Sequence, residues 1–106
     1  MEAALKAIAE PRRRQILALV RDAELSAGEI ASHFDVTRPA ISQHLTVLKE
    51  AGLVHERRNG TRRLYRVRPE GLAELRDFLQ GFWDERLEML KRDAEREERE
   101  KDGTDD

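Results

Sequence analysis

Thr37-Arg-Pro-Ala-Ile-Ser-Gln-His-Leu-Thr-Val-Leu-Lys-Glu-Ala-Gly52 runs without a break into Leu53-Val-His-Glu-Arg-Arg-Asn-Gly-Thr-Arg-Arg-Leu-Tyr-Arg-Val67, and the change of pattern between the two halves decides the fold. In the first half Ile41, Leu45 and Leu48 recur at i, i+4 and i+7, which gathers them on one face of an α-helix. Thr37 is placed to cap that helix, Pro39 fits its first turn and Gly52 is a suitable stop. The second half reads as a β-hairpin about Asn59-Gly60, a favoured two-residue turn because both residues tolerate positive φ. Pairing about that turn sets Arg58 opposite Thr61, Glu56 opposite Arg63 and Val54 opposite Tyr65. Arg57, Arg58, Arg62 and Arg63 then flank the tip.

Upstream, residues 1–9 read as a short helix with Leu5, Ile8 and Ala9 at helical spacing. Pro11 suits the first turn of a second helix, where its missing N–H costs nothing. Ile16, Leu17, Leu19 and Val20 give that helix an apolar face, and it ends near Arg21-Asp22. After an extended link at Glu24-Leu25, Ser26-Ala-Gly-Glu29 has the form of a capping box, opening a third helix through Ile30, Ala31 and Phe34. The turn at residues 33–36 leads back to Thr37. Downstream, Pro69-Glu70 starts a long last helix with its acidic group near the positive end of the helix dipole. The fold class expected is mainly α with a small β-hairpin, a winged helix-turn-helix.

At 106 residues with 39% apolar content, the chain can build one small core but no roomy catalytic cleft. The absence of Cys removes disulfides, thiolate metal sites and Cys nucleophiles together. No apolar run approaches the roughly 18–20 residues that span a bilayer, and residues 1–20 lack a signal-peptide pattern. A soluble, cytoplasmic protein without membrane insertion is expected. The net charge of −2 hides an asymmetry. Residues 1–68 carry 13 Lys+Arg against 8 Asp+Glu, a balance of +5, while residues 69–106 carry 7 against 14, a balance of −7. The basic half contains the polar-faced helix and the hairpin, where a phosphate backbone would lie.

The last helix carries more apolar surface than a small core needs. Leu72, Leu75, Phe78, Leu79, Phe82, Trp83, Leu87 and Leu90 form a wide stripe. A homodimer core is the simplest use for it; an apolar-ligand pocket lined by Phe82 and Trp83, or a heterologous partner, is the alternative. Residues 1–92 are therefore expected to form the folded domain. Residues 93–106 are expected to form a charged tail, a fraying helix giving way to disorder from about Asp102.

The helix face opposite Ile41, Leu45 and Leu48 carries Pro39, Ser42, Gln43 and Thr46, with Arg38 and Lys49 at its border. Gln can contact adenine N6 and N7 together, Ser can meet several base edges, and Arg can pair with guanine or phosphate. Thr46, further from the helix N-terminus, suits a phosphate or rim contact. His44 falls on the flank of the core face, where it either meets a phosphate or packs beside the second helix. The hairpin arginines repel one another, a cost that bound phosphate would relieve. Arg12, Arg13 and Arg14 oppose the dipole of the helix they open; a solvated helix start or a structural salt bridge explains them better than phosphate contact or an acidic partner. His33, His44 and His55 lie on three different elements with no carboxylate–His pair at i, i+4, so no metal site is expected. No cofactor is expected either. No nucleophile–base pair, phosphate-binding glycine loop or paired carboxylate in an apolar pocket can be argued from these residues, so an enzyme is not expected.

The chain resembles the ArsR-type family of bacterial winged-helix repressors over nearly all of residues 3–92. The resemblance rests on Ala9-Glu-Pro-Arg-Arg-Arg-Gln-Ile-Leu17, Leu25-Ser-Ala-Gly-Glu-Ile-Ala31, and residues 36–54 beginning Val36-Thr-Arg-Pro-Ala-Ile-Ser-Gln-His44, joined by the hairpin and Pro69-Glu-Gly-Leu72. It implies a homodimer assembled through the first and last helices, here Leu5, Ile8, Leu75, Phe78, Leu79, Phe82, Trp83, Leu87 and Leu90. It implies binding to double-stranded DNA at an inverted-repeat operator through Thr37, Arg38, Pro39, Ser42, Gln43, His44, Thr46 and the four hairpin arginines. The function so implied is a sequence-specific transcriptional regulator, acting as a repressor. A protein-interaction module and a sequence-indifferent DNA-binding protein are the alternatives. Many family members sense metal or arsenite through Cys-x-Cys on the third helix, which here reads Glu29-Ile-Ala-Ser-His-Phe34; others use Asp and His on the last helix, which here lacks His. Release from DNA would then fall to an unidentified effector or a protein anti-repressor, or the chain has no releasing signal.

Overall fold

Ile16 and Val20, Ile30, the triplet Ile41, Leu45 and Leu48, and the adjoining Leu53 and Val54 are all sealed from solvent, and they define where the core lies. The computed structural model describes residues 1–104, with side chains to residue 100. The elements are α1 (Glu2–Ala9), α2 (Pro11–Asp22), β1 (Leu25–Ser26), α3 (Ala27–Ala31), α4 (Arg38–Glu50), β2 (Val54–Asn59), β3 (Arg62–Val67) and α5 (Pro69–Thr104). The chain divides into two units, the first ending at Leu75 and the second beginning at Arg76.

In the first unit the helix ends obey their local chemistry. Glu10 caps α2 by accepting from Arg12 N at 3.0 Å, which leaves Pro11 in the first turn. The capping box forms in full: Ser26 Oγ accepts from Glu29 N, and Glu29 Oε1 accepts from Ser26 N, both at 3.1 Å. Thr37 Oγ1 accepts from Ala40 N at 3.3 Å at the start of α4. At its other end Gly52, with φ +76°, donates to Lys49 O while Leu53 donates to Leu48 O. This is a Schellman stop, and it turns the chain into β2. The third helix is shorter than its sequence suggested, ending at Ala31. The Ser32 hydroxyl donates to Glu29 O at 2.6 Å, and His33 and Phe34 continue with tighter i→i−3 bonds.

The hairpin register is corrected by two residues. Asn59 pairs with Arg62, Arg58 with Arg63, Glu56 with Tyr65 and Val54 with Val67. The turn is therefore Gly60-Thr61, with φ +69° at Gly60 alone, the pattern of a turn whose first central residue is Gly. The observed register places the buried Val54 and Val67 directly opposite each other, and Arg68 N donates to Leu53 O at 2.9 Å just beyond them. The shift by an even number leaves every side chain on its expected face. β1 adds a third strand, in the order β1-β3-β2, with Leu25 opposite Tyr65 and Ser26 opposite Leu64.

One close approach depends on a missing side chain. A Cβ on Gly71, in the first turn of α5, would lie 1.9 Å from Gly52 O, so the α4 stop and the α5 start meet backbone to backbone.

The second unit is a single stretch of α5. Its large apolar side chains are open: Phe82 and Trp83 are each 55% exposed and Leu90 is 60% exposed, with Phe78, Leu87 and Met89 similar. The tail expected over residues 93–106 is helical through Thr104; Asp105 and Asp106 lie outside the described residues. Among the described residues, no helix is long and apolar enough to cross a membrane.

Candidate nucleic-acid interface

α4 divides by face. Ile41, Leu45 and Leu48 are buried, whereas Arg38, Pro39, Gln43 and Thr46 are exposed and Ser42 is half-buried. Beside this open face runs a groove of about 590 Å³, floored and walled by Arg38, Ser42 and Thr46 from α4 and by Arg62, Arg63 and Tyr65 from the hairpin. The helix side of the groove offers hydroxyls and a guanidinium; the hairpin side offers cations and the Tyr65 phenol. Thr46 donates its hydroxyl hydrogen to Ser42 O at 3.0 Å, which leaves its lone pairs as the outward-facing group. Thr37 is exposed, but its Oγ1 already accepts the Ala40 amide.

His44 is half-buried, and its Nδ1 lies 3.4 Å from Arg13 Nη1. The ring therefore lies beside α2. The same guanidinium donates from Nε to Ala7 O at 2.7 Å and from Nη2 to Lys6 O at 3.1 Å, and Arg14 Nη1 donates to Ile8 O at 2.7 Å. These carbonyls belong to the last turn of α1. Arg13 and Arg14, which oppose the dipole of their own helix, therefore complete the C-terminus of the preceding one. Arg12 instead lies over the Phe34 ring, 4.7 Å from its centroid.

The hairpin cations are not equivalent. Arg57 makes a two-pronged pair with Glu24, with contacts of 3.0 and 2.6 Å, and Arg62 pairs with Glu29. Lys49, at the end of α4, reaches Glu56 at 2.9 Å. Each carboxylate is held below its ordinary pKa, Glu24 chiefly by Arg57, Glu29 by its hydrogen bonds from Ser26, and Glu56 by Lys49 with help from Tyr65. Burial, and then the bond to Glu56, push the Tyr65 hydroxyl upward. Arg58 and Arg63 face each other across the ladder, both exposed. The acidic partners were missed by sequence reasoning. Their signal was weak: acids on or beside the elements flanking the hairpin, without a spacing that names a partner.

His33 and His55 are exposed. Among the described residues no group of three or more His, Cys, Asp or Glu is placed to hold a metal ion.

A family model for bacterial regulatory proteins of the arsR family matches residues 10–56, from the α2 cap to the middle of β2. The chain is 48% identical over 84 residues to the HTH-type transcriptional regulator Rv2034 of Mycobacterium tuberculosis, covering 79% of this chain and 78% of that protein. It is 35% identical to the transcriptional repressor SdpR of Bacillus subtilis, over 77% of this chain and 91% of the repressor. The chain belongs to the ArsR family.

This ArsR-family chain also matches the solution structure of a homodimeric winged helix-turn-helix DNA-binding domain from Mycobacterium bovis, itself described as a possible ArsR-family regulator. The TM-score is 0.65 at 38% identity, over 79% of this chain and 78% of that one. The winged-helix fold expected from residues 37–67 is thus the observed one, with α3 and α4 as the helix-turn-helix and β2–β3 as the wing. The ArsR-family chain is a DNA-binding transcriptional regulator and not an enzyme. Of the residues expected at a dimer interface, Phe78, Phe82, Trp83, Leu87 and Leu90 are exposed, Leu5, Ile8 and Leu79 are half-buried, and Leu75 is buried in the core.

Proposed function

We propose that this chain is a homodimeric repressor that binds an inverted-repeat operator and blocks transcription by occupying it. The observation that carries the reading is the open face of α4, where Arg38, Ser42, Gln43 and Thr46 project beside a groove walled by wing arginines. An α-helix of this kind fits the major groove, and cations beside it meet the flanking backbone. Ser42 and Gln43 read base edges, Arg38 reads a base or anchors to phosphate, and the wing supplies salt-dependent affinity. His44, in contact with Arg13 of α2, stands at the flank of these base-facing residues, where it meets a phosphate. In a dimer, two such helices fill successive major grooves about 34–36 Å apart.

The dimer draws on the α5 stripe. Phe78, Phe82, Trp83, Leu87 and Leu90 are close to half exposed or more, a concentration of apolar surface that monomers seldom leave open. A homodimer is named for the Mycobacterium bovis domain, and repression for the Bacillus subtilis relative. The regulator acts on DNA in the cytoplasm, with release by an effector or protein anti-repressor as the remaining regulatory step.

Selection of bound duplexes from a random library at about 150 mM salt, with mass measured by light scattering, tests both halves. Enrichment of an inverted repeat by a species of twice the chain mass is expected. A folded protein that enriches no sequence would replace the operator reading with a protein-interaction module or sequence-indifferent binding, and a monomer at working concentration would remove the dimer.

A further inference from the structure

The pleat sorts the four wing arginines two by two. Directly opposite residues of an antiparallel ladder share a face, and faces alternate along each strand. Val54 with Val67, Glu56 with Tyr65, and Arg58 with Arg63 therefore lie on one face, whereas Arg57 with Leu64 and Asn59 with Arg62 lie on the other. The first face is the one turned to α4, because Lys49 reaches Glu56 on it. Tyr65 and Arg63 line the groove beside Ser42, and Arg62 borders the same groove with its guanidinium paired to Glu29. On the second face both arginines find carboxylates, Arg57 on Glu24 and Arg62 on Glu29. Glu29 is itself fixed by the capping box, and Glu24 immediately precedes β1, which pairs with β3. Two acids thus tie the second strand face to the α3 end of the domain.

We infer that Arg58 and Arg63 are the wing's phosphate contacts, while Arg57 and Arg62 have their charge neutralised by Glu24 and Glu29 and stay off the DNA. This rests on the DNA-binding reading above and deepens it. Each phosphate neutralised adds about 0.9 to the slope of log affinity against log salt, so a contact made by an arginine can be counted. A cation already neutralised within the protein adds little to that slope. Arg58 and Arg63, which make no ion pair within 4 Å among the described residues, are the ones that add to it.

The test is the salt dependence of binding to a duplex of random sequence, measured for the full chain and for single Arg→Gln substitutions at 57, 58, 62 and 63. Arg58→Gln and Arg63→Gln are each expected to reduce the slope by about 0.9, while Arg57→Gln and Arg62→Gln leave it within error. Glu29→Gln keeps an N3 side chain that can complete the capping box, yet removes the partner of Arg62. It is expected to raise the slope and to tighten binding about 2- to 5-fold, the scale of an exposed ion pair. Glu97→Gln, which changes net charge equally outside the first unit, controls for bulk charge. Arg57→Gln or Arg62→Gln reducing the slope as much as Arg58→Gln would overturn the division, as would Glu29→Gln behaving like Glu97→Gln. If the unsubstituted chain, folded, binds no duplex at any salt, the DNA reading itself falls, and that result is distinct from unequal slopes among binding variants.

Discussion

Arg13 stands between His44 and the end of α1: its guanidinium lies 3.4 Å from His44 Nδ1 while donating to Ala7 O and Lys6 O. One side chain from α2 thereby joins the first helix to the helix that carries the DNA-facing residues.

Arg13→Ala is expected to cost about 1–2 kcal/mol, since it removes charged donors from carbonyls that have no helical partner of their own. Arg14→Ala, which gives up the one bond to Ile8 O, should cost clearly less. Urea unfolding of the two variants separates them. Equal losses would show that the carbonyls of α1 do not depend on Arg13 in particular.

Gly71→Ala should be among the most damaging small substitutions in the chain, at about 3 kcal/mol or more. The added methyl meets backbone, Gly52 O at 1.9 Å and Gly52 C at 2.9 Å, and no rotamer change can relieve it. Gly52→Ala meets no such wall but must hold φ +76°, at a cost of about 1–2 kcal/mol. Thermal melts that rank Gly52→Ala as the worse of the two would contradict the close approach of the α4 stop and the α5 start.

Acid should loosen the wing and the start of α3. Glu24, Glu29 and Glu56 each have a pKa lowered from 4.5 in the folded chain. A carboxylate lowered on folding stabilises the fold above its unfolded pKa, and that contribution disappears as pH falls through the folded value. The stability lost between about pH 5 and 3 should therefore shrink when Glu24, Glu29 and Glu56 are replaced together by Gln, with the triple variant less stable than the parent at pH 7. Parallel acid limbs for the two proteins would show that other groups govern the decline.

Where side chains obey a period, the sequence was enough. Ile41, Leu45 and Leu48 named the buried face of α4, and Ser26 with Glu29 named the start of α3. The turn was misjudged because Asn59-Gly60 is a good local choice, while the register is decided by the meeting of Val54 and Val67 at the far end of the strands. The fates of Arg57, Arg62 and Arg13 were beyond reach for a related reason. Their partners are Glu24, Glu29 and the carbonyls of α1, and such partners depend on how separate elements pack, which no local spacing records.

Gln43 gives the sharpest test of base reading. It is exposed, on the open side of α4, one residue from Ser42 in the groove, and no bond within the chain holds its amide among the described residues. An amide so placed can donate and accept at once, the pattern that adenine presents through N7 and N6 in the major groove. Gln43→Ala should weaken binding to the selected operator by about 1–3 kcal/mol and broaden preference at the contacted base pair, while the salt slope stays unchanged because no charge is removed. Arg58→Gln should do the reverse, lowering the slope with little change in preference. An equal loss by Gln43→Ala on operator and random duplexes would move Gln43 from base reading to backbone contact, and sequence discrimination would then rest with Ser42 and Arg38.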